Sequence, residues 1–118
     1  MTLNIPVVRT KLIKEYDIIF HKEKVFGIDG ADEIFEKLIG GSTLEKVAVI
    51  CLDSNNKVIN AAVTNVGTDT RVEFVPSELF RIAILSNANA IIICHNHPSG
   101  ELKPSPYDID ITKKIGYI

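Results

Sequence analysis

The sequence predicts an α/β domain in which helices flank a mixed β-sheet. Two apolar segments, residues 45–52 and 57–65, are separated by turn-forming residues and predict a pair of strands. Residues 90–94 are a continuous run of bulky apolar side chains, typical of a strand that is buried on both faces. Helix-like segments lie between and after these strands, so the predicted order of elements is βαββαβα.

Three segments have the spacing and boundary residues of short helices. The first covers residues 31–39, where apolar residues recur at helical spacing until Gly40 and Gly41 end the pattern. The second begins at Pro76 and ends near Asn87. The third begins at Ser105, a natural N-cap residue that is followed by a proline in the first helical position.

The chain is predicted to consist of an N-terminal arm, residues 1–28, and one domain, residues 29–118. A chain of 118 residues with 46% apolar residues is sufficient for one hydrophobic core. Within the arm, residues 7–13 and 18–20 are β-prone, and the polar stretch between them predicts a hairpin.

Composition excludes several classes of protein. With 13 basic against 15 acidic residues, the net charge of −2 does not indicate a nucleic-acid binder. The sequence has neither a signal-peptide pattern nor an apolar run near the roughly 18 residues of a membrane span, so we expect a soluble, cytoplasmic protein without membrane contact. Cys51 and Cys94 each lie in an apolar strand and are expected to be buried free thiols.

The strongest indication of chemistry is a pair of histidines at the end of the buried strand. His95 and His97 are two residues apart, so both imidazoles can leave the same face of the strand. A loop containing proline and glycine follows, and it can return the chain so that Asp108, in the first turn of the next helix, approaches both. Two imidazoles and one carboxylate are a zinc ligand set that leaves a position open for water, the pattern of a catalytic site.

These residues resemble the signature of the JAMM metalloproteases. The signature combines His-x-His with a seven-residue gap and Ser-x-x-Asp, and it fits His95, His97, Ser105 and Asp108. The string His-Asn-His-Pro-Ser-Gly at residues 95–100, with Gly-Thr at 67–68, resembles in particular the RadC-like bacterial branch. The resemblance covers about residues 31–115 and implies a cytidine-deaminase-like JAB architecture, a bound Zn²⁺ and cleavage of a peptide or isopeptide bond in a protein substrate.

The resemblance also implies roles for two further residues. Glu45 matches the glutamate that acts as general base on a water whose pKa zinc lowers from about 15.7 to about 7. Ser105 matches the serine whose hydroxyl stabilises the oxyanion of the tetrahedral intermediate. The alternative for Ser105 is a purely structural role as the N-cap of the last helix.

Other interpretations of the histidines remain open. An isolated pair of histidines is more often two loop residues with ordinary hydrogen bonds, and the spacing to Ser105 and Asp108 is what favours a ligand set. The letters His-Asn-His do not make an HNH nuclease, whose residues are spread over a ββα unit, and the order of ligands differs from that of Fe(II) oxygenases. The main alternative is a non-catalytic JAMM-like scaffold or a DNA-repair-associated RadC interaction module.

Sequences that resemble this branch continue beyond the last helix with another strand or two. We therefore expect residues 29–118 to lack the last strands of the domain. An open sheet edge can pair with a second copy of the chain, which suggests a homodimer.

Overall fold

The computed structural model describes residues 1–44, 46–66, 76–96 and 102–104. The elements in chain order are α1 (Ala31–Ile39), β1 (Lys46–Leu52), β2 (Val58–Val66), α2 (Pro76–Leu85), β3 (Ala90–Asn96) and β4 (Leu102–Pro104). The predicted α/β class, with helices flanking a sheet, is confirmed. The helix predicted from Ser105 onwards lies outside the described residues.

The sheet has the strand order β2-β1-β3-β4, and every neighbouring pair within the described residues is antiparallel. The sequence analysis predicted a mixed sheet. β2 and β3 lie on opposite sides of β1 and are each antiparallel to it, so they run parallel to each other without being neighbours. The connection from β2 to β3 contains α2 and passes over β1. Such helical crossovers commonly join parallel strands that are direct neighbours.

Both faces of the central strands β1 and β3 are largely buried, and each face packs against its own helix. One face, here called the α1 face, packs against α1 and consists of Ala48, Ile50, Leu52, Ile92 and Cys94. The opposite face, here called the α2 face, packs against Leu79 and Ala83 of α2 and consists of Val47, Val49, Cys51, Ile91 and Ile93. Burial on both sides explains why β1 and β3 are apolar nearly throughout.

Local side-chain chemistry fixes the ends of several elements. The β1–β2 turn is held by Asp53, whose carboxylate accepts hydrogen bonds from the backbone N–H groups of Asn55 at 2.8 Å and Lys57 at 3.0 Å. Gly30, with φ of 86°, precedes α1 in a conformation that favours glycine. The predicted bounds of α1 are confirmed, and no helix in the described ranges is long and apolar enough to cross a membrane.

The N-terminal arm differs from the prediction. Residues 1–20 contain no strand, so the predicted hairpin is not formed. The segment between its two β-prone runs has no glycine or asparagine to favour a tight turn, and a lone two-stranded hairpin is marginally stable in water. Val7 and Val8 are 96% and 84% exposed. In contrast, Ile18 and Phe20 pack against the buried residues between α1 and the α1 face of the sheet. The division into an arm and a domain at residue 28 stays a prediction.

β4 is a second difference, because the sequence analysis predicted only a loop between the histidine pair and the last helix. Three residue pairs join β3 to β4, from Cys94 opposite Pro104 to Asn96 opposite Leu102. Local sequence does not reveal this strand, since a three-residue strand that contains proline is stabilised by its partner and not by propensity. The pairing extends β3 through His95 and Asn96, two residues beyond the predicted strand.

The expectation that both cysteines are buried free thiols is confirmed. Burial raises the pKa of the Cys51 thiol from 9.0 to about 11, and a hydrogen bond with Ser86 offsets part of that shift. The thiolate is the nucleophile in alkylation, so we expect Cys51 in the folded protein to resist iodoacetamide at about pH 8 and to react once urea unfolds the chain. Mass spectrometry of the Cys51 peptide measures this, with Ser54→Cys in the exposed turn as a reactive control. Equal labelling of both positions in the native protein would contradict the prediction.

Candidate metal centre

His95 is the predicted ligand that lies within the described residues. It is exposed near the end of β3, where it is opposite Val47 of β1 and Lys103 of β4. Side chains alternate along a strand, so His95 belongs to the α2 face, as do Ile91 and Ile93. An imidazole at an accessible strand end, next to apolar side chains, fits a zinc ligand.

The other predicted site residues are outside the part of the chain that the structure describes. These are Glu45, His97, Ser105 and Asp108. Among the described residues, no group of three histidine, cysteine, aspartate or glutamate side chains could hold a metal ion. The ligand set, His95 included, therefore stays a prediction.

Cys94, next to His95 in the chain, belongs to the opposite face. It is 1% exposed and lies on the α1 face with Ile92. Because side chains alternate along a strand, Cys94 points away from the side of His95. The Cys94 thiol therefore does not lie on the side of the sheet to which His95 belongs.

Asn96 is a feature that the sequence analysis missed. Its side chain is 2% exposed and makes three hydrogen bonds with the backbone. The amide oxygen accepts from the N–H of Lys46 at 2.6 Å, and the amide nitrogen donates to the carbonyls of Leu44 at 3.1 Å and Ile39 at 3.2 Å. This one side chain therefore connects the end of β3 with the end of α1 and with the start of β1.

A signal for Asn96 was present in the alternation of the strand. Ile92 and Cys94 lie on the buried α1 face, and Asn96 continues the same two-residue period. An amide placed at a buried position requires hydrogen-bond partners, because an unsatisfied buried polar group is costly.

Comparison with known families identifies the family of this chain. Residues 28–118 match the family model of the RadC-like JAB domain. The chain belongs to the RadC-like JAB domain family. The resemblance found in the sequence is thereby confirmed, and the antiparallel sheet with flanking helices is consistent with a JAB-type α/β fold.

Relatives of this RadC-like JAB domain occur in distant bacteria. A UPF0758 protein of Finegoldia magna is 40% identical over 87 residues, which cover 74% of this chain and 39% of that protein. A UPF0758 protein of Thermosynechococcus vestitus is 46% identical over 71 residues, which cover 60% of this chain and 28% of that protein. A third, from Trichodesmium erythraeum, is 41% identical over 85 residues. The matched segment spans well under half the length of these relatives.

Proposed function

We propose that this RadC-like JAB domain is a zinc-dependent hydrolase of peptide or isopeptide bonds, with His95, His97 and Asp108 as the metal ligands. The observation that carries the proposal is the direction of His95. It is exposed on the α2 face at the strand end, while Cys94 and Asn96 on either side of it are buried on the other face. In the proposal, His97 and Asp108 complete the ligand set with His95.

Glu45 is the proposed general base. In the sequence it directly precedes Lys46, the first residue of β1, and Val47 of that strand is opposite His95. The support for this role is the resemblance of the sequence to the JAMM signature.

The proposed reaction divides the work among these side chains. Bound zinc supplies a Lewis acid and lowers the pKa of water. The Glu45 carboxylate accepts a proton from the attacking water and later donates it to the leaving amine. The Ser105 hydroxyl donates a hydrogen bond to the oxygen that becomes negative as the scissile carbonyl is attacked.

Metal content tests the ligand assignment. We expect the purified wild-type chain to contain about one zinc per molecule, and His95→Ala and Asp108→Ala to lose most of it, because a three-ligand site cannot spare one ligand. Inductively coupled plasma mass spectrometry measures the zinc.

His21→Ala is the matched control, since His21 is exposed and far along the chain from the proposed site. We expect its zinc content to equal that of the wild type. Wild-type protein without zinc would favour the non-catalytic scaffold, and equal zinc in all variants would show that the metal is bound elsewhere.

A further inference from the structure

We infer that Asn96 is a positioning residue for the proposed site, because it attaches the backbone of Leu44 and Lys46, the chain neighbours of the proposed general base Glu45, to the end of β3 that carries His95. The inference rests on the proposed function and adds a residue to it. Asn96 lies next to His95 in the chain but faces the opposite side of the sheet. It therefore acts through the backbone of the segment that it binds.

The hydrogen bonds of Asn96 bracket position 45. Its amide nitrogen binds the carbonyl of Leu44, and its amide oxygen binds the N–H of Lys46. In the chain, the proposed base therefore stands between two backbone groups that are bound by one side chain. Contacts that position a catalytic group contribute to the rate through its orientation.

The segment before Glu45 is also held. Leu44 donates its N–H to the hydroxyl of Ser42 at 3.1 Å, and that hydroxyl donates to the carbonyl of Leu44 at 2.9 Å. The third bond of Asn96, to the carbonyl of Ile39, fixes the last residue of α1, whose carbonyl lacks a partner within the helix. Both ends of the α1–β1 connection are thus attached to one side chain.

The donor and acceptor pattern fits asparagine and few alternatives. The site needs one acceptor for an N–H and two donors for carbonyls, which is what a primary amide offers. Aspartate lacks the donors, and leucine, the nearest apolar residue in size, would leave all three backbone groups without this partner. The chemistry of residue 96 therefore follows from the backbone that it binds, and not from solvent or a ligand.

Asn96→Ala tests the inference. We expect kcat for peptide hydrolysis to fall by about 10–100-fold, the usual effect of losing a group that orients an active-site residue, with KM and zinc content unchanged. We also expect the amide of Lys46 to exchange with solvent at least about tenfold faster, while the amide of Val49, in the middle of β1, is unaffected. Nuclear magnetic resonance measures that exchange without depending on zinc or on activity.

Asn96→Thr is the conservative variant. Its hydroxyl can accept one bond and donate one, and a β-branched residue suits a strand. We expect its kcat to lie between those of the wild type and Asn96→Ala. All assays are made at a temperature at which circular dichroism shows each variant folded, and Asn96→Thr carries the test should Asn96→Ala not fold.

Asn60→Ala is the matched control. The Asn60 side chain donates to the hydroxyl of Ser86 at 2.8 Å, and Asn60 lies opposite Cys51, away from the histidine end of the sheet. We expect this variant to keep the kcat of the wild type even where its stability falls. A wild type that hydrolyses peptides and Asn96 variants that are equally active would overturn the inference alone. An inactive wild type would overturn the proposed function and the inference with it.

Discussion

Glu45→Gln is expected to reduce the rate of peptide hydrolysis by about 10²–10⁴-fold while the zinc stays bound. Glutamine keeps the size and polarity of the side chain but cannot take a proton from water. Because the three proposed ligands are unchanged, the metal content should equal that of the wild type. Digestion of a peptide library, followed by kcat measurement on the best substrate, tests the rate, and mass spectrometry tests the zinc.

Glu23→Gln is the control for that experiment, since Glu23 is exposed in the N-terminal segment. It makes the same change in net charge and should leave the rate unchanged. Loss of zinc together with activity in Glu45→Gln would make Glu45 a ligand and not a base. A full rate in that variant would remove Glu45 from the chemistry and leave the proton transfer to another group.

The elements that the sequence predicted best are those whose patterns are local. Glycines on both sides of residues 31–39 set the ends of α1, and turn residues after Leu52 define the β1–β2 hairpin. β4 and the antiparallel pairing of β3 depend on which strands meet in space, and no local pattern contains that information. The arm shows the converse, because β-prone residues such as Val7 form no strand without a partner.

The candidate site divides in the same way. A histidine pair after a buried strand can be recognised in the sequence, and the structure places His95 exposed near the end of β3, while its role as a ligand stays a prediction. Asn96 was missed because its partners, Ile39 and Leu44, lie more than fifty positions away in the chain. A residue whose role depends on its own side chain can be recognised in a sequence. A residue that binds distant backbone groups, as Asn96 does, can be recognised only in the folded structure.

Phe35→Ala is expected to lower the free energy of unfolding by about 3–5 kcal/mol. Phe35 is 0% exposed, and its side chain fills the space between α1 and the sheet, in the cluster that includes Ile50 and Ile92. Truncation removes buried apolar surface and leaves a cavity that the two strands can close only in part, because β1 and β3 are also fixed from the α2 face. Equilibrium unfolding in urea measures the loss, with the slope expected to stay that of the wild type.

Phe26→Ala makes the same truncation at a residue that is 57% exposed, and surface changes of this kind stay within about 0.5 kcal/mol. The difference in unfolding free energy between the two variants gives the contribution of burial, separately from the effect of removing an aromatic ring. Comparable losses of unfolding free energy in both variants would mean that the buried residues between α1 and the α1 face do not stabilise the sheet.

Since α1 ends at Ile39, whose carbonyl binds Asn96, a loosened α1 should also speed amide exchange at Lys46. The core under α1 and the histidine end of β3 are then one cooperative unit.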